Sequence, residues 1–209
     1  MNHKQAGLVR ASKVPGQHNF PRILITGVPD AGKTSIASGI SDSIAEVIPC
    51  EFGRLMAEIG QQQNLLSEFH DLQNLPRAVR AELQIAAARD VSGLNQPVAV
   101  AAHVVVQAPE GYVEGLPEQA LSYLSLTGII VITSDPQEIR NRRAARGSAR
   151  ATEDIELIRF HQESVGRRAS EIARTYKIPI GYIGNADGKL LEVISDAIRL
   201  WKSFDIRQG

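Results

Sequence analysis

The 209-residue chain has one cysteine, Cys50, so it cannot form an internal disulfide, and it suits a reducing interior such as the cytoplasm. It also lacks a charge of one sign: Lys plus Arg and Asp plus Glu number 23 each. No overall field draws it to nucleic acid or to an anionic membrane, and any basic site must be local. Long hydrophobic runs are missing. The longest, "VAVAAHVVV" at 98–106, is under half of the ~20 residues needed to span a bilayer. Residues 1–20 are polar, hold three Lys/Arg and lack the apolar block of a secretory signal, so they read as a loose tail. Internal repeats and low-complexity blocks are absent as well. One domain over 21–209 is the expectation from length.

What the chain does have is alternation. Short apolar runs at 22–26, 47–50, 98–106, 128–133 and 178–183 read as strands, and their unbroken apolar character implies burial on both faces of a sheet. Helical patterns fit 53–63, 76–92, 136–146, 153–176 and 188–204, and Ile36, Ile40 and Ile44 place an apolar stripe on a helix near residue 40. Strand–helix alternation of this kind predicts an α/β fold with a parallel sheet flanked by helices. Asp135 before Pro136 predicts a helix start. The Gly/Pro-rich "APEGYVEGLPE" (108–118) reads as a loop leaving a strand's carboxyl end, where ligands bind in open parallel sheets.

The sharpest motif is "GVPDAGKT" at 27–34, with Ser35 following: Gly27, Val28, Pro29, Asp30, Ala31, Gly32, Lys33, Thr34. It fits G-x-x-x-x-G-K-[ST], and it follows a strand and opens a helix, as a phosphate cradle must. The backbone N–H groups of 29–34 are expected to converge on phosphate oxygens at the positive end of that helix. Lys33 would reach the β- and γ-phosphates, and the Thr34 hydroxyl would sit on Mg²⁺ accompanying ATP. Asp30 is the odd member, a carboxylate beside polyphosphate; its side chain is expected to point away and to weaken affinity at most.

Farther along, Arg142, Arg146 and Arg150 are spaced by four, with Arg140 and Arg143 beside them. A helix would gather these guanidinium groups near one edge, which suits a clamp on a transferring phosphoryl group. The alternative is an ordinary solvated helix face.

In its landmarks the chain resembles the archaeal-type adenylate kinases. They are "ITGVPDAGKT", "FGRLMAEIG" (52–60), "HDLQNLP" (70–76) with "AELQ" (81–84), "APEGYVEGLP" (108–117) and "TEDIELIRFHQE" (152–163). The resemblance implies a P-loop NTPase fold with a five-stranded parallel sheet, an acceptor-nucleotide region around 52–92 and a short lid around 140–152. It implies ATP and AMP, or another nucleoside monophosphate, as partners. Lys33, Arg142 and Arg146 become catalytic residues, and a homo-oligomer, a trimer in several members, becomes an expectation.

Departures from the family concern the metal and acceptor sides. The family's "D-x-H" triplet is Ala101, Ala102, His103, so the acid that orders the water around Mg²⁺ is missing, and His103 is a poor substitute. At the acceptor site, Gln73 and Gln107 stand where basic residues are usual, and amides replace neither the charge nor the fork of guanidinium. Arg77 and Arg80 could compensate or could be plain surface charges. The lid is shorter than the family's. Two readings stay open: a kinase making two ADP from ATP and AMP, and a nucleotide-binding member with weak or lost transfer or another acceptor. Guanine specificity has no support, since no Asn-Lys-x-Asp segment occurs.

Overall fold

The computed structural model describes residues 20–108, 111–148 and 150–204; the expected N-terminal tail lies outside them, apart from Phe20. A parallel sheet forms from β1 (Arg22–Thr26), β2 (Ile48–Glu51), β3 (Val98–Ala101), β6 (Gly128–Thr133) and β7 (Ile180–Gly184), in the order β2-β3-β1-β6-β7. The expected five-stranded parallel sheet is therefore present. Every residue of β1 and β3 is buried, as their unbroken apolar runs require. The neighbours of β1 are both reached by crossovers in opposite directions, which opens a crevice at its carboxyl end.

Helices cover the sheet: α1 (Lys33–Ser43), α2 (Phe52–Gln62), α3 (Arg77–Ser92), α4 (Glu118–Leu124), α5 (Pro136–Ala145), α6 (Ile155–Tyr176) and α7 (Leu190–Phe204). The isoleucine stripe holds in part, since Ile36 and Ile40 are fully buried and Ile44 is the C-cap of α1. Asp135 caps α5 as expected, accepting from Gln137 N–H at 2.8 Å, with Pro136 in the first turn. No helix among the described residues is long and apolar enough to cross a membrane.

Two expectations need correction. The run 98–106 is not one strand. It leaves the sheet after Ala101, because β1 turns into its loop after Thr26; Ala102 and Val104 then bond to Ile25 O and Thr26 Oγ1. The chain resumes as β4 (Val105–Ala108), which pairs with β5 (Gly111–Glu114) in an antiparallel hairpin. Of the stretch 108–118, residues 109–110 lie outside the described residues, and 111–114 are strand, not loop: Tyr112 and Val113 have strand propensity, and Gly111 takes a positive φ of 116°. Sequence reading also passed over α4, started by Pro117, and a 3-10 helix at Phe69–Asn74.

Candidate active site

The loop 27–32 joins β1 to α1 in the crevice at the sheet's carboxyl edge. Gly27 is required sterically, since a Cβ there would lie 2.6 Å from the Ile132 carbonyl oxygen on β6. Gly32 has φ 99°, and a Cβ would collide with the Asn185 amide. The donor set expected over 29–34 is smaller than six. Pro29 has no amide hydrogen, and Ala31 N–H is bonded to Val28 O at 3.2 Å. Asp30, Gly32, Lys33 and Thr34 are left as amides for an anion at the start of α1.

Lys33 is buried and its ammonium donates to Val28 O at 2.8 Å. Burial pushes its pKa down to about 7; Asp30 opposes the shift and Arg143 adds to it. Thr34 and Ser35 are exposed at the mouth. Below them, half-buried His103 lies 3.1 Å from Gly27 O through Nδ1. A carbonyl only accepts, so Nδ1 carries the proton and Nε2 is left as an acceptor. Desolvation, then Lys33, hold the ring's pKa well below the usual histidine range, so it is neutral.

Three of the expected arginines meet the loop. Arg142 donates to Asp187 and to Asn185 O at 2.7 Å, to Ser134 Oγ at 3.0 Å and to Asp30 O at 3.4 Å. Arg143 is fully buried, pairs with Glu153 and reaches Pro29 O at 3.4 Å. Arg146 donates to Asp30 Oδ1 at 2.8 Å, and Asp30 Oδ2 lies 3.6 Å from Arg143 Nε. The Asp30 side chain is therefore turned toward the arginines of α5 and its C-cap. Arg140 stays on its own helix, bonded to Gln137. The positive charge of Arg150 bears on His103, His161 and Tyr112 instead.

The expected acceptor residues are not brought to the loop. Exposed Gln73 receives a 3.3 Å bond from Arg80 at its carbonyl, Arg77 is exposed, and Gln107 is exposed on β4. Near that region a cavity of about 360 Å³ is lined by Glu51, Arg54, Ala57, Glu58, Gln61 and Phe69. Register places Glu51 beside Ala101, so the sheet edge does carry a carboxylate there, on β2. Among the described residues no group of three or more His, Cys, Asp or Glu could hold a metal ion. Thr34 is the donor expected for Mg²⁺, which fits an ion that relies on water and substrate phosphates.

Sequence reasoning missed Asn185. Buried after β7, it donates through Nδ2 to Ala31 O at 2.7 Å and accepts from Ser134 and Arg142 at its carbonyl. The signal was available: "GNADG" directly follows a strand at the ligand-binding edge.

A family profile described as "AAA domain" matches residues 26–159. An adenylate kinase from Thermoplasma acidophilum is 30% identical over 180 residues, covering 86% of this chain and 97% of that protein. One from Methanoculleus marisnigri is 31% identical over 149 residues, covering 68% and 78%. Among solved structures, a shikimate kinase from Bacteroides thetaiotaomicron superposes with a TM-score of 0.59 over 87% of this chain and 98% of that one. At 14% identity, that likeness concerns the fold alone.

Proposed function

The chain belongs to the P-loop nucleoside-monophosphate-kinase-like superfamily, and on that premise we propose that it is an adenylate-kinase-type phosphotransferase making two ADP from ATP and AMP. The observation that carries this reading is the gathering of Lys33, Arg142, Arg143 and Arg146 on one phosphate-type loop. The two named relatives, both adenylate kinases, support the choice of substrates.

In this reading the free amides of 30 and 32–34 bind the ATP phosphates, and Lys33 charges and moves from Val28 O onto the β- and γ-oxygens. Arg142 and Arg143 anchor the lid helix to the loop. Arg146, two-thirds exposed, contributes charge to the transferring group. The bond from the γ-phosphorus to the β-bridging oxygen breaks as one forms to an AMP phosphate oxygen. That oxygen is already ionised, so no general base is required. Mg²⁺ would be held by Thr34 and the nucleotide phosphates, where it supplies charge neutralisation. Closure of the lid excludes water as a competing acceptor. A homo-oligomer is part of the same proposal.

A second reading, nucleotide binding with little transfer, is favoured by Ala101 at the place of the metal-ordering acid. Purified protein with Mg-ATP and AMP, CMP, UMP, GMP or dAMP separates them. Turnover with AMP that Lys33→Ala abolishes supports the kinase, whereas ATP binding without transfer to any of the five supports the second reading. Ala101→Asp is expected to raise a weak activity by roughly 10-fold or more.

A further inference from the structure

Two cavities lie away from the loop 27–34, one beside Arg54 and one between α6 and Tyr182. The charged side chains of the loop are turned onto the protein itself. Lys33 turns back onto Val28 O, and the Asp30 carboxylate, only 16% exposed, takes Arg146 at 2.8 Å and faces Arg143 Nε at 3.6 Å. Asp30 holds φ 66°, a left-handed conformation that costs a residue with a Cβ but suits Asp and Asn better than most. An anion on the loop, paired to the guanidinium groups expected to clamp a phosphate, does what a bound phosphate would do.

We propose that Asp30 is an intramolecular stand-in for a nucleotide phosphate: its carboxylate latches Arg146, with Arg143 behind it, onto the loop, and an incoming triphosphate must displace it. The inference rests on the nucleotide-binding reading of the loop, and it adds a competitor built into the chain. Asp30 is then a positioning residue. It keeps the segment after α5 seated on the loop, and it lowers the apparent affinity of any ligand that must displace it.

Simple repulsion between Asp30 and phosphate would also weaken binding, so the test must separate the two. Mg-ATP affinity is measured by calorimetry for the full chain and for Asp30→Asn, which keeps the shape and the φ preference, with Asp30→Gly as a second variant free of φ strain. Each is repeated with Arg146→Gln. The latch predicts that Asp30→Asn tightens Mg-ATP binding about three- to ten-fold and that most of this gain disappears with Arg146→Gln, because Arg146 is no longer there to be released. It also predicts faster hydrogen exchange over 143–148 in ligand-free Asp30→Asn, with protection regained on adding Mg-ATP. Equal gains with and without Arg146, or unchanged exchange in both Asp30 variants, overturn the latch and leave repulsion alone. If the unaltered chain and the Asp30 variants all fail to bind Mg-ATP, the nucleotide reading itself fails, an outcome distinct from loss of the latch.

Discussion

At the scale of single residues, Lys33 carries the clearest prediction. Burial lowers its pKa to about 7, so above that pH Lys33 is a neutral amine in the folded chain. Polyphosphate favours the charged form, so binding near pH 8 should take up about one proton, and affinity should fall as pH rises above 7. Calorimetry at pH 8 in buffers of different ionisation enthalpy measures that uptake; heats independent of buffer would contradict it. The same shift fixes the sign for folding. Between pH 7 and 10.5 the unfolded chain holds a proton that the native chain does not, so Lys33's contribution to stability rises with pH in that window. Arg143 and Glu153 make a second case. The guanidinium is fully buried and the carboxylate 9% exposed, so Glu153→Gln leaves a buried cation with only the more distant Asp30 carboxylate, 3.6 Å away, and should cost about 3 kcal/mol in urea unfolding. A loss under about 1 kcal/mol would show that the pair is not held as described. Of these residues only those inside "GVPDAGKT" and the arginine run were legible in the sequence. Glu153 is ten positions from Arg143, and Asn185 meets Ala31 across 154; "GNADG" marks the edge where Asn185 lies but not the partner it meets.

Among the elements, the strands were legible because burial on both faces leaves an unbroken apolar run, and α5 because Asp135 and Pro136 mark its first turn. The hairpin was not. "VAVAAHVVV" is apolar apart from His103, and nothing within it tells that β1 stops at Thr26 and no longer pairs with the chain beyond Ala101. The hairpin is secured at its base by Gly115 N–H to Val104 O at 2.9 Å and by Gln84 to Gly115 O. Its Tyr112 packs against Phe160 and His161 of α6, with ring centroids 5.5 and 4.6 Å apart. Ring pairs of this kind add about 0.5–1.5 kcal/mol each beyond area, so Tyr112→Ala should free the hairpin without melting the sheet. Hydrogen exchange should rise over 105–108 and 111–114 and stay unchanged in β1 and β3. The proposed acceptor role of Gln107, which the hairpin carries, predicts that the KM for the acceptor rises several-fold while that for ATP holds. Equal rises in both would remove the hairpin from the acceptor side.

For the whole molecule, topology explains why the site sits where it does. The strand order places β3 and β6 on opposite sides of β1, so the loop after β1 emerges in the only crevice that the sheet's order creates among the described strands. Segments distant in sequence then reach it: His103 after β3, Ser134 after β6 and Asn185 after β7, with the arginines of α5 above. The surroundings of the loop are thus assembled by the fold, whereas Gln73, Arg77, Arg80 and Gln107 lie apart from it. The central claim is that this assembly moves the terminal phosphoryl group of ATP to a nucleoside monophosphate. It is tested most directly by incubating the protein with Mg²⁺, ATP labelled at the γ-phosphate, and AMP, then separating the products. The account predicts label in the β-phosphate of ADP, lost in Lys33→Ala. Label found only in inorganic phosphate, or retained entirely in ATP, would contradict it.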